Sequence, residues 1–192
     1  MNLSIALVDD EMIERKAIRK IIEDHFGKDL ICGEAANGRQ AIQLADEKRP
    51  NIMLMDIKMP GIDGLEAIER IKEKHPDIKF IMISAYDSFD YAKQAMKKGV
   101  KEYILKPATK EETIQAILNV NREITKEQLE QERKKYAAEI AKKHFLQQIM
   151  DQNITKDLQT IKLEYFPTMK AGFFLAIDLE REKEWEPLIK KI

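Results

Sequence analysis

Through about residue 120, short apolar runs alternate with stretches whose apolar positions recur at helical spacing. This pattern predicts repeated strand–helix units around a parallel sheet. The apolar runs are Leu3–Val8, Leu30–Ala35, Ile52–Met55, Phe80–Ile83 and Glu102–Leu105. Most are continuous rather than alternating, as strands covered on both faces should be. A helix is predicted after each. Asn37 with Gln40, and Thr109 with Glu112, have the spacing of helix N-caps, whereas Gly27, Gly99 and Pro76 mark helix exits.

Beyond Thr109 the pattern changes. Helix-favouring residues run without Gly or Pro to Met150, so one long rod over 109–151 is expected, the last helix of a domain at 1–120 continued as a linker. Its apolar residues are dense at Ile114, Ile117, Leu118 and Ile124, thin to Leu129 alone between Thr125 and Lys135, and dense again from Ala137 to Ile149. Two readings stand: a parallel dimeric signalling helix, and a solvated single spacer. Residues 152–192 then offer a helical stretch, a break at Pro167, the apolar run "AGFFLAIDLE" and a helix near Trp185. They read as the opening of a second, partial α/β domain, because one strand cannot build a core of its own.

Composition narrows the function classes. With 44% hydrophobic and 35% charged residues among 192, the chain can bury a core of ordinary size. The 33 Lys and Arg against 34 Asp and Glu leave no global field to recruit nucleic acid, a membrane or an acidic partner. Cys32, the only cysteine, excludes an internal disulfide framework and a cysteine-based zinc site, agrees with a reducing cytoplasm, and reads as core filler. Leu3–Val8 is too short, and too closely followed by Asp9, Asp10 and Glu11, for a signal peptide, and no apolar run approaches membrane-spanning length. A cytoplasmic protein without a membrane partner is expected. His25, His75 and His144 have no metal-ligand spacing, and Met53, Met55 and Met82 belong to strand cores.

In an open parallel sheet, ligands bind beyond the carboxyl ends of the strands. There the first strand is followed by Asp9 and Asp10, the third by Asp56, the fourth by Ser84 and the fifth by Lys106. Three crowded carboxylates repel unless something neutralises them, and an all-oxygen set suits Mg2+. A metal beside a lysine attracts a phosphoryl group. Asp56 is then the expected nucleophile, forming an acyl phosphate whose oxygens Ser84 and Lys106 hold. The turn through Pro60, Gly61 and Gly64 builds a loop over the site.

Asp9-Asp10, then Asp56-x-x-Met59-Pro60-x-x-Asp63-Gly64, Ser84-Ala85 and Lys106-Pro107, in that order and each at a strand end, resembles the receiver domain of two-component response regulators over Met1–Val120. The resemblance implies an α/β fold, a five-stranded parallel sheet of order 2-1-3-4-5 with helices on both faces. It implies Asp56 as phosphoacceptor, Mg2+ held by Asp10, Asp56 and the backbone carbonyl of Lys58, and Asp9 acting on the metal through water. Ser84 is the implied hydroxyl switch, Lys106 the phosphate-binding lysine and Tyr103 the aromatic that moves on activation. A cis Lys106–Pro107 bond is expected. The implied partners are a sensor histidine kinase and a second copy, met through the long helix or the face of the fourth helix, fifth strand and fifth helix. The chain is thus expected to be a regulatory phosphoacceptor rather than an enzyme.

The stretch from Ser84 to Ala108, with the rod, further resembles regulators whose output is an AraC-type DNA-binding domain, implying transcription control. No helix-turn-helix or basic recognition stripe is evident in residues 145–192, so DNA is expected only through an output domain not evident in this chain. Two rivals remain: a phosphorylation-independent interaction module with a vestigial pocket, and a Mg2+-dependent aspartyl phosphatase. The latter wants a second aspartate two residues after the first, where this chain has Lys58.

Overall fold

A computed structural model describes residues 3–85 and 89–150. The partial α/β segment expected over 152–192, with Trp185, lies outside the described residues. Two compact units partition the chain, Met1–Glu127 and Gln128–Ile192.

The first unit holds five strands, β1 (Ile5–Val8), β2 (Ile31–Ala35), β3 (Ile52–Asp56), β4 (Lys79–Ser84) and β5 (Glu102–Leu105). They alternate with α1 (Met12–Phe26), α2 (Gly38–Lys48), α3 (Gly64–Lys74) and α4 (Phe89–Lys97), and α5 (Lys110–Met150) follows. All pairings are parallel, in the order β2-β1-β3-β4-β5, which is the expected architecture.

The apolar runs divide between two faces because successive side chains on a strand point oppositely. Ala6, Val8, Met53, Met55, Phe80 and Met82 pack with Ala41, Ala45, Leu65, Ile68, Ile71 and Ala95 of α2, α3 and α4. Ile5, Leu7, Ile52, Leu54, Ile81 and Ile83 pack with Ile18 and Ile22 of α1 and Ala116, Ile117, Val120 and Ile124 of α5. Burial on both faces holds for β1, β3 and nearly all of β4. It does not hold for β2 and β5, which are only partly buried, since each edge strand has a single neighbour.

Two predicted caps form. The Asn37 side chain accepts from the Gln40 amide at 2.9 Å, and the Gln40 side chain returns a bond from the Ala36 amide at 2.8 Å. Thr109 Oγ1 accepts from the Glu112 amide at 3.2 Å and donates to Glu112 Oε2 at 2.7 Å, starting α5. Up to Glu127 that helix is also tied to the amino-terminal end of the sheet: Lys79, the first residue of β4, reaches Glu127 at 2.7 Å, and Lys101 pairs with Glu123. Among the described residues, no helix is long and apolar enough to cross a membrane.

The loop after β3 is held very close to the strand. The Gly64 amide donates to the Ile57 carbonyl at 2.8 Å, and a Cβ on Gly64 would stand 2.0 Å from the Asp56 carbonyl oxygen. Across the same loop, a Cβ on Gly38 would stand 2.3 Å from the Ile62 carbonyl oxygen. Both obstacles are backbone, so neither can yield by a rotamer change. Gly64→Ala is therefore expected to cost about 1–3 kcal/mol through forced backbone shifts, read as a lower urea midpoint. A variant as stable as the parent would show that the loop does not approach so closely.

Candidate metal and anion site

β1 and β3 are neighbours in register, Val8 opposite Met55, so the residues that follow, Asp9 and Asp56, emerge side by side. Both are buried, 2% and 6% exposed, while Asp10 is exposed. One carboxylate oxygen from each of Asp9, Asp10 and Asp56 lies within 4.8 Å of the others. Lys106, just past β5, crosses to them: its Nζ donates to Asp9 Oδ2 at 2.8 Å and stands 3.3 Å from Asp56 Oδ1. The Lys106 amide is fixed by the Ser84 carbonyl at 2.8 Å, and the Lys106–Pro107 bond is cis as expected.

The electrostatics follow from this crowding. Burial pushes the Asp56 carboxyl up to about 6, and the Asp9 charge adds to the rise, while Lys106 opposes both. Burial works against the Lys106 charge too, but its hydrogen bond to Asp9 and the attraction of Asp56 outweigh it, leaving the amine above its usual value. One cation thus offsets one of three carboxylates and two negative charges remain. That residue of charge, an all-oxygen donor set and the open side at Asp10 suit a hard divalent cation.

The structure brings Asp9, Asp10, Asp56 and Lys106 into one cluster. Ser84 ends β4 one residue beyond the partner of Asp56, and is fully buried. Tyr103 pairs in register with Met82 and packs, half-buried, on the face covered by α2, α3 and α4. Lys58 is exposed on the loop after Asp56, with its Nζ 5.3 Å from the centre of the Tyr91 ring. Sequence reasoning passed over Arg15, whose Nη1 donates to the Asp9 carbonyl at 2.5 Å. Its only signal was a basic residue five positions after Asp10.

Comparison with known proteins fits this geometry. The family model for the response regulator receiver domain matches residues 5–118, and the chain belongs to that family. It is 40% identical over 124 residues to the uncharacterized transcriptional regulatory protein YesN of Bacillus subtilis, covering 64% of this chain and 33% of that protein. The chain therefore spans about a third of this relative. Among solved structures, the REC domain of AraT, a response regulator from Geobacillus stearothermophilus, matches with TM-score 0.61 and 32% identity, covering 67% of this chain and 99% of that one. A CheX–CheY–BeF3–Mg complex from Borrelia burgdorferi matches with TM-score 0.58 and 28% identity, covering 62% of this chain and 88% of that one. Receiver domains bind Mg2+ through acidic residues and interact with histidine kinases, and this chain has such an acidic cluster.

The raised Asp56 carboxyl has a consequence for stability. Between about pH 6 and its unfolded value of 3.8, the folded chain holds the proton more tightly than the unfolded chain. The cost of the buried charge is thus fully present above about 6 and vanishes as pH falls towards 3.8. In metal-free buffer with chelator, Asp56→Asn is expected to raise the unfolding free energy at pH 8 by on the order of 2–3 kcal/mol. The gap should close as pH is lowered through the Asp56 titration. A gap that ignores pH would show that the carboxyl is not raised.

Proposed function

We propose that this chain is a phosphorylation-activated switch of a two-component system, in which Asp56 accepts a phosphoryl group from the phosphohistidine of a sensor histidine kinase with Mg2+ bound. The observation that carries this reading is the buried Asp9–Asp56 pair bridged by Lys106 beside an exposed Asp10. An Asp56 carboxylate oxygen attacks phosphorus, the P–N bond breaks, and its electron pair returns to the imidazole ring. Mg2+, when bound, supplies positive charge that stabilises the phosphoryl oxygens as charge develops. Asp10, Asp56 and the Lys58 backbone carbonyl would hold it, and Asp9 would act through water. Lys106 holds a second phosphoryl oxygen and Ser84 a third. Ser84 moving inward vacates space that the Tyr103 ring fills.

The output is carried through α5 towards transcription control by an output domain not evident in this chain, a reading supported by the name of the YesN relative. Self-association through the rod is supported by Leu129, Tyr136 and Ile140, which are 48%, 67% and 52% exposed. They stand seven and then four residues apart, the spacing of a coiled-coil seam. Tyr136→Glu is expected to shift the chain towards monomer in sedimentation equilibrium. A parent chain already monomeric under phosphorylating conditions favours the solvated spacer.

The rivals separate cheaply. Incubated with acetyl phosphate and Mg2+, the chain should gain the mass of one phosphoryl group, absent in Asp56→Asn and after chelation. No adduct in the parent chain would favour the phosphorylation-independent module, and the phosphatase reading is further weakened by Lys58 at the position of its second aspartate.

A further inference from the structure

We infer that Arg15 is a positioning residue for the metal site: it clamps the peptide joining Asp9 to Asp10, and so fixes the direction in which the Asp10 carboxylate points. The inference rests on the proposed reading of Asp10 as a metal ligand.

Asp9 is held by every polar handle it has. Its amide donates to the Ala35 carbonyl of β2 at 3.2 Å, its Oδ1 accepts from the Glu11 amide at 2.9 Å, and its Oδ2 accepts from Lys106 at 2.8 Å. The remaining handle, the carbonyl, accepts from Arg15 Nη1. That carbonyl and the Asp10 amide belong to one rigid peptide plane, so its tilt sets where Asp10 begins. Asp10 has no burial to restrain it. Arg15 supplies the restraint from beneath, where its side chain is only 14% exposed. It also lines, with Asp9, Asp56, Leu7 and Leu54, the small cavity under the site.

The guanidinium is itself anchored. Arg15 Nε meets Glu34 Oε2 at 3.3 Å, and Arg19 Nε meets Glu34 Oε1 at 2.5 Å. Burial works against the Glu34 charge, but the two arginines together hold its carboxyl below the usual range. Arg19 is also paired with Glu23 at 2.9 Å. Glu34 lies on edge strand β2, so the clamp runs from the sheet edge through α1 to the acidic pair. A planar guanidinium suits this task because it can serve a carboxylate and a carbonyl from different nitrogens at once.

Charge and geometry predict opposite signs. By Coulomb attraction alone, losing a positive guanidinium near three carboxylates should tighten cation binding. As a positioning group, Arg15 should weaken binding when removed, since groups that orient metal ligands typically cost about 10- to 100-fold in metal affinity. The test is calorimetric titration of the full 192-residue chain with Mg2+. Arg15→Ala is expected to raise the dissociation constant roughly tenfold. Arg15→Lys keeps the charge but gathers its donors on one nitrogen, which cannot reach Glu34 and Asp9 from separate positions as Nε and Nη1 do, so an increase of about threefold is expected. Unchanged or tighter binding in a folded Arg15→Ala overturns the inference. Should Arg15→Ala fail to fold, Arg15→Lys decides it alone, since charge predicts no change there. If the parent chain binds Mg2+ but takes no phosphoryl group from acetyl phosphate, the proposed function fails while the clamp is still judged by these affinities. If Asp10→Asn leaves Mg2+ affinity unchanged, the ligand assignment fails and the clamp with it.

Discussion

Two carboxylates buried side by side at the rim of a sheet are the constraint on which this structure turns. Taking each from water costs several kcal/mol, and their mutual repulsion adds to that. Among the described residues Lys106 bridges them, and it comes from two strands beyond β3. The sheet order makes the bridge possible: β1 and β3 must be adjacent to place Asp9 beside Asp56, and β5 must lie on the β3 side to send its lysine across β4. A chain with the same residues in another strand order would strand the carboxylates without their cation.

The backbone around the acids is correspondingly over-determined. Gly64 lets the loop after β3 sit against the Asp56 carbonyl, and Gly38 lets α2 close on Ile62 in that same loop. On the β1 side, Asp9 is hydrogen-bonded through its amide, its carbonyl and both carboxylate oxygens. Preorganisation of this kind puts the cost of bringing like charges together on folding rather than on ligand binding.

Much of this was legible in the sequence, for reasons that can be named. The strands announced themselves because both faces of β1, β3 and β4 are covered, and the Asn37 and Thr109 caps because their partners lie three residues away. Asp9, Asp10, Asp56 and Lys106 were found because each stands at a strand end, where a parallel sheet opens its crevice. Long-range geometry was not legible. The edge exposure of β2 and β5 depends on having one neighbour rather than two, and Arg15 meets Glu34 only because β2 lies outside β1. Gly64 read as a turn residue. Its closer reason, the Asp56 carbonyl against it, required the fold.

The distribution of packing also says which way a change at Asp56 can travel. The β1 side is fixed by hydrogen bonds from β2, α1 and β5, so added charge meets little freedom there. The β4–β5 side differs: β5 has one buried residue of four, and among the described residues of α4 Ala95 is buried in the core with Tyr91 partly buried against it. Tyr103 is half-buried on that face, and Leu105 is 41% exposed. Beyond them α5 is pinned at the far end of the sheet through Glu123 and Glu127. In the proposed switch, a displacement at Ser84 is therefore taken up by β5 and α4 before it reaches the helix.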